Sequence, residues 1–282
     1  MRCDNSSTVH VLLASISSPS RNVVEVGPLT IRLYGVMLLL GILAAIWLAG
    51  TRWVRWGGDW DLIFSCAMWG VAAGIVGARL YHVATSWNEV PNEWWGVFAV
   101  WKGGLGVWGG VAAGVLAGGI VAWRRGANIL LLADAAGPGI LLGQAIGRLG
   151  NYFNQELFGK PTDLPWGLEI DPEHRPAAYP QDATFHPTFL YEIIWDLIGV
   201  VVLCWLGRRL RPGGVFFLYV MWYSLGRASW EEHLRIDPSH YIAGMRLNGW
   251  IAIGVFLAAL GGFIWTQRRE HFSRDPLVRT AS

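Results

Sequence analysis

Long apolar stretches alternate with short polar ones along most of the chain. Seven windows are long enough to cross a bilayer core, which takes roughly 20 mostly apolar residues per helix. They fall at about 29–50, 62–86, 96–123, 128–147, 187–206, 213–230 and 249–266. A short WRRGAN turn separates the third and fourth, and the sixth ends in a polar segment. The pattern predicts an all-α polytopic membrane protein with seven transmembrane helices.

The short loops give a direction. Arg52 and Arg55 follow the first window, Arg124 and Arg125 the third, Arg208, Arg209 and Arg211 the fifth, and Arg268 and Arg269 the seventh. The loop after the second, WNEVPNEWW, has neither Lys nor Arg. Basic loops stay in the cytoplasm, so the N-terminus is expected outside and the C-terminus inside. Residues 1–27 are then a flexible extracytoplasmic tail, 28–266 the membrane domain and 267–282 a cytoplasmic tail. One outward segment, about 148–186, is long and rich in Pro, Gly and charge. Loops of that length are usually functional or disordered; the aromatics and prolines of this one argue against plain disorder, and it is expected to form a small extracytoplasmic cap.

Composition agrees with the pattern. Hydrophobic residues make up 53% of the chain and charged residues only 15%, against about a quarter charged in soluble domains; the mean hydropathy is +0.37. The 18 tryptophans and 36 glycines suit interfacial belts and close helix contacts. A net charge of +2 gives no support to nucleic-acid binding, which needs a clustered basic face. Cys3, Cys66 and Cys204 show no C-x-x-C spacing, so neither a disulfide framework nor a zinc site is implied.

Polar residues in or beside membrane spans are costly and mark pairing or function. Here they gather at the outward ends. Arg148, Asn151, Asn154 and Glu156 follow the fourth window, and His186, Tyr191 and Glu192 open the fifth. Tyr223, Arg227, Glu231, Glu232 and Arg235 end the sixth; Arg246 and Asn248 precede the seventh. Arg32 and Tyr34 open the first, and Arg79, Tyr81 and His82 end the second. Tyr223, Arg227 and Glu231 fall on one helical stripe, and Arg148 and Asn151 share a face if the helix continues. Arg32, Arg79 and Arg246, each alone, read equally well as helix-end arginines reaching for headgroups. Asp196 reads as a partner for another span.

Outward arginines in low dielectric suit a phosphate, which a guanidinium binds through paired N–H donors. An outer-leaflet phospholipid is the nearest molecule that carries one. H-E-x-x-H, G-x-S-x-G and a phosphate loop ending in Lys-Ser/Thr are all missing from the sequence, so metalloprotease, serine hydrolase and nucleotide-binding readings lack support. GGLGVWGG is expected inside the third span, its glycines permitting close helix contact or a local break.

The string GRLGNYFNQELFG, residues 147–159, closely resembles the signature of bacterial prolipoprotein diacylglyceryl transferases. IRLYG, WKGGLGVWGG, HPTFLYE and GRASWEEHLRID resemble further family segments, in the same order. The resemblance covers roughly residues 28–266. It implies an enzyme of the bacterial inner membrane, with its active site on the outer side. Such an enzyme moves the diacylglyceryl group of phosphatidylglycerol to the lipobox cysteine of a prolipoprotein signal peptide. A thioether forms, glycerol 1-phosphate leaves, and no cofactor or metal is needed.

Carried over residue by residue, the resemblance makes Arg148 and Arg227 the phosphate-handling arginines. Asn151 and Asn154 would orient headgroup or glycerol oxygens, and Glu156 would fix an arginine or the loop. Gly159 closes the signature turn, and Tyr34 matches the first-span tyrosine. His186, Tyr223 and Arg246 join the expected substrate contacts, with membrane lipids around them.

Two departures stand out. Trp108 occupies the place of a family histidine favoured as a base, which leaves His186, Glu231 and Glu232 as candidates; Trp108 would instead shape the lipid pocket. The segment after Arg227 carries one extra residue. Counting forward from Arg227 selects Glu231 as the family glutamate, and counting back from Arg235 selects Glu232. Glu231 is preferred, with a π-bulge absorbing the insertion. The rivals are a phospholipid transporter or flippase, which should line both leaflets, and a structural assembly subunit, which leaves the outward cluster unexplained.

Overall fold

A computed structural model describes residues 15–19, 21–27, 29–236, 239–268, 273 and 275–277. Cys3, Arg269 and most of both expected tails lie outside the described residues. Strands β1 (Val23–Val26) and β2 (Leu29–Arg32) form an antiparallel hairpin leading into helix α1 (Leu33–Arg55). Helices α2 (Trp60–Thr85), α3 (Val107–Arg124) and α4 (Ile129–Asn154) follow. Next come the paired strands β3 (Leu168–Glu169) and β4 (Thr184–Phe185), then α5 (Thr188–Leu206) and α6 (Gly214–Gly226). A π-turn, Arg227–Glu231, joins α6 to the short α7 (Glu232–Leu234). Strands β5 (Tyr241–Ile242) and β6 (Met245–Arg246) then precede α8 (Leu247–Arg268).

The chain is mostly helical, with three small antiparallel ladders and no closed sheet among the described residues. Among the described residues six helices are long and apolar enough to cross a membrane: α1, α2, α3, α4, α5 with its following turn, and α8. Their outer faces carry large exposed apolar residues, such as Leu39, Leu43 and Trp47 on α1 and Val201 and Trp205 on α5. Water would not tolerate such faces, whereas lipid would. The sequence of this multi-pass protein departs from its structure in four places. α3 begins at Val107, not near residue 96, because Gly103 and Gly104 take φ of +90° and +72°, outside the helical region. α4 runs on to Asn154, so residues 148–154 are helix and not loop. α6 has only 13 residues before its π-turn. Residues 15–27 are not a free tail: Ile16 bridges to Leu168, and residues 23–26 pair with 29–32.

The chain divides into two compact units. The first comprises Met1–Gly41, Gln144–Leu197 and Tyr223–Gly254. Its core is Phe158, Leu168, Ile170, Phe185 and Phe189, so the segment after α4 packs around apolar side chains. The second comprises Ile42–Gly143, Ile198–Trp222 and Val255–Ser282. Within it α2 and α3 pack through glycines. A β-carbon on Gly77 would lie 2.5 Å from Gly109 O, and one on Gly109 would lie 2.3 Å from Gly77 O. Small residues let the two backbones touch, the usual basis of helix association in lipid. GGLGVWGG thus supplies both expected features, a break at Gly103–Gly104 and a close contact at Gly109.

Candidate active site

In the first unit the signature segment forms the last turns of α4 and the loop after it. The helix continues through Asn151, which puts Arg148 and Asn151 on one face. Arg148 Nη1 donates to Asn151 Oδ1 at 3.4 Å. The Asn151 and Asn154 amides both donate to Glu156 Oε1, at 2.8 and 3.3 Å. Glu156 therefore anchors the two asparagines; among the described residues no ion pair joins it to an arginine.

Beyond α4 the backbone turns sharply, with Gln155 and Leu157 at φ of +50° and +56°. Non-glycine residues rarely adopt this conformation and need support from their surroundings. Gln155 has that support. Its side chain accepts from Asp171 N–H at 2.9 Å and donates to Asp171 Oδ2 at 2.6 Å. Gly159 closes the turn in a place that only glycine fits. A β-carbon there would lie 2.9 Å from His186 Cβ, 3.0 Å from Thr188 Cγ2 and 3.1 Å from Leu234 O. The Gly159 N–H donates to His186 O, and Lys160 N–H to Leu234 O, both at 2.9 Å. The signature is thereby tied to the start of α5 and the end of α7.

Three ion pairs build the charged centre. Arg148 Nε meets Glu192 Oε2 on α5. Arg227 and Arg235 both donate to Glu231 Oε1. Glu231 is 3% exposed and Glu192 7%, so none of the three pairs is a weak surface contact. Electrostatically, Arg227, Arg235 and Glu231 also reach Glu192, and Asp196, one turn further along α5, feels Arg148 and Glu231. The π-turn directs Glu231 toward the arginines. Glu232 turns the other way and accepts from Arg246 N–H at 2.8 Å, while Arg246 Nη1 donates to Arg235 O at 3.0 Å. Arg227, Glu231, Glu232, Arg235, Arg246 and Asn248 enclose a small recess.

An aromatic cluster borders this centre. Trp166 Nε1–H donates to the Tyr191 hydroxyl at 2.9 Å, and that hydroxyl lies 3.1 Å from His186 Nδ1. An indole only donates, so Tyr191 accepts from Trp166, and its hydroxyl and His186 Nδ1 share a hydrogen bond whose direction follows the imidazole tautomer. Burial lowers the His186 pKa below the ordinary histidine value, which favours the neutral ring. Tyr191 also stands edge-on to Trp230, with ring centroids 6.2 Å apart.

The expected residues thus separate into groups. Arg148, Asn151, Asn154 and Glu156 form one contact network. Arg227, Glu231 and Arg246 form another with Arg235 and Glu232. Gly159 and His186 touch. Tyr34 packs its ring on the Gly150 backbone, since a β-carbon there would lie 2.6 Å from Tyr34 Cδ2. Tyr223 is half-buried in α6, one turn before Arg227. Trp108 lies in the second unit, 67% exposed near the start of α3. Arg79, also in that unit, is buried and donates to the carbonyls of Gly96, Val97, Gly103 and Gly104 at 2.5–3.0 Å. It holds the loop before α3 and does not snorkel. Glu192, Arg235 and Gln155 were visible as polar residues near the signature. Arg235 stands at the helical i, i+4 spacing from Glu231, whereas no local spacing marks Glu192 and Gln155 as partners of Arg148 and Asp171.

Fold and site together define a multi-pass membrane protein organised around buried arginine–glutamate pairs. A family model described as prolipoprotein diacylglyceryl transferase matches residues 21–265. A protein of Cutibacterium acnes named phosphatidylglycerol–prolipoprotein diacylglyceryl transferase is 49% identical over 260 residues, covering 90% of this chain and 88% of its own. One of the same name from Bifidobacterium adolescentis is 43% identical, covering 91% and 81%. One from Streptomyces coelicolor, numbered 2, is 45% identical, covering 92% and 83%. The chain belongs to the prolipoprotein diacylglyceryl transferase family. The transporter reading finds no support in these relatives.

Proposed function

We propose that this enzyme transfers the diacylglyceryl group of phosphatidylglycerol to the cysteine thiol of a prolipoprotein. The observation that carries this reading is the family signature, built as a structured turn whose Arg148 sits in an ion-paired, asparagine-lined setting. The thiol sulfur bonds to the glycerol carbon bearing the phosphate ester, the C–O bond breaks with its electron pair left on the phosphate oxygen, and glycerol 1-phosphate leaves carrying the proton the thiol gives up. Charge therefore grows on the departing phosphate, and fixed donors aimed at it lower the barrier.

Arg148 and Arg227 supply those donors. A guanidinium offers five N–H groups, more than their contacts with Glu192, Asn151 and Glu231 use. Glu231, shared by Arg227 and Arg235, is the family glutamate in this reading, and Asn151, Asn154 and Glu156 orient glycerol oxygens. Tyr34 and Tyr223 flank the donor lipid, and Gly159 and Arg246 hold the turn and the charged recess in shape. Trp108 lines the path of the acyl chains. His186, with Nδ1 occupied by Tyr191, is a positioning group. The guanidinium field then stabilises the thiolate directly, as cationic surroundings do for other cysteines.

The membrane arrangement belongs to the same proposal. Seven crossings, the seventh made by α6 with its π-turn and α7, put the N-terminus outside and the C-terminus inside. The 155–186 cap and the site then face the outer side of the inner membrane, where the lipobox of an exported signal peptide emerges. Purified enzyme, phosphatidylglycerol and a lipobox peptide test the activity by mass. The expected product carries one added diacylglyceryl group on cysteine, and an unmodified peptide would refute the reading.

A further inference from the structure

A second basic site lies in the second unit, apart from any residue assigned above. Arg52, Arg55 and Trp56 from α1 and the turn after it, with Cys204, Trp205, Arg208 and Arg209 from the end of α5 and its following turn, line a cleft of about 410 Å³. That volume lies within the range of small-molecule sites, about 300–1,000 Å³. Its polar content is almost wholly cationic: among the described residues no carboxylate lines it.

Arg52 marks the cleft as a built site. It is 6% exposed, and its Nη2 donates to Asp134 O at 3.3 Å. Its guanidinium lies over the Trp56 ring, 4.8 Å from the centroid. Its buried Nε has no hydrogen-bond partner among the described residues. The same guanidinium also meets Cys204 and the Asp134 carboxylate, one acidic group against the four arginines that line the cleft. At the mouth, Arg209 stacks on Trp205 at 4.1 Å, and Arg55 is exposed beside the cleft. Tryptophans carrying arginines at a helix end are also a membrane-interface arrangement.

We infer that this cleft binds a phosphate-bearing anion, with the Arg52 guanidinium at its base and Arg55, Arg208 and Arg209 around its mouth. The topology proposed above puts it at the inner leaflet, where basic pockets between helices hold anionic headgroups. The source is an anionic phospholipid or free inorganic phosphate. The chemistry at the cleft is the same for both.

The test uses full-length protein in phosphatidylcholine nanodiscs doped with phosphatidylserine, an anionic lipid without the donor's glycerol headgroup. Native mass spectrometry counts retained lipids for wild type, Arg55→Gln/Arg209→Gln and Arg148→Ala. Both substituted residues of the double variant are exposed, so its fold is retained. The inference expects preferential phosphatidylserine retention that falls about thirtyfold in the double variant and survives Arg148→Ala. Release by millimolar inorganic phosphate would support the anion site with free phosphate as the source; resistance to it would support the lipid. Equal retention by wild type and the double variant, or loss in Arg148→Ala, would overturn the inference. Binding is read without turnover, so this result and that of the peptide assay fail separately.

Discussion

Gly150 and Tyr34 show how little freedom the signature allows at single positions. The Tyr34 ring rests on the Gly150 backbone, between Arg148 and Asn151 in sequence. Gly150→Ala should therefore cost about 1–3 kcal/mol through overpacking and lower the melting temperature in detergent. Adding Tyr34→Ala should recover much of that stability while transfer stays low; transfer restored by the double variant would remove Tyr34 from the site. For Arg148 the expectation concerns chemistry more than stability. Arg148→Ala should lower kcat by about 10²–10³ with normal membrane insertion, and Trp108→Ala should lose less. A near-normal rate for Arg148→Ala would end its assigned role. His186 adds a pH dependence. Its folded pKa lies below the unfolded value, so the unfolded chain binds the extra proton as the pH drops. Stability should fall as the pH goes below about 6.5, and His186→Gln should flatten that part of the stability–pH curve. A curve that the substitution leaves unchanged would mean that His186 is not the responsible group. The residue types of this site were legible in the sequence. Their pairing was not, because Arg148–Glu192 and Gly159–His186 join segments far apart in sequence that meet only in the tertiary fold.

At the level of elements, α4 is organised by a proline within a membrane span. Pro138 has no N–H, so the carbonyl of Asp134, four residues earlier, loses its helical donor. Arg52 Nη2 donates to that carbonyl instead. The Asp134 side chain in turn accepts from Gly213 N–H and Phe216 N–H, both at 2.8 Å, capping the first turn of α6. A carboxylate at a helix start satisfies orphan donors and complements the dipole. Asp134→Ala should therefore cost about 1–3 kcal/mol, and Asp134→Asn less, in thermal unfolding of detergent-solubilised protein. Equal stability in all three proteins would show that α6 is capped another way. The same helix shows where hydropathy misleads. The apolar pattern ends near residue 147, yet α4 continues for two further turns, because Arg148 and Asn151 find polar partners in protein. The π-turn was legible, since one surplus residue between Arg227 and Arg235 had to go somewhere. The late start of α3 was harder to see, since glycine, as ready for φ > 0 as for φ < 0, carries no sign of which it will adopt.

For the whole molecule the open physical question is how often the chain crosses the bilayer. α6 alone, 13 residues long, rises about 20 Å, short of a hydrocarbon core of about 30 Å. Gly214–Leu234, counted through the π-turn and α7, is long enough. Arg227, Glu231 and Arg235 would then sit near one interface, with their charges neutralised in pairs. Mutual pairing is the condition under which such residues are tolerated there. The alternative leaves α6 as a half-span and reverses every position after it. Single cysteines in a chain lacking Cys3, Cys66 and Cys204 decide between the two, with a membrane-impermeant maleimide applied before and after permeabilisation. Asp163→Cys, in the exposed cap, should label at once, and Arg124→Cys, after α3, only after permeabilisation. His240→Cys, exposed beyond α7, is the discriminating position. Seven crossings require it to label from outside together with residue 163, whereas a half-span would hide it with residue 124. Protection of His240→Cys would therefore remove the seventh crossing and move the Glu231 end of the site to the inner side. An enzyme acting on exported cysteines could not use it there.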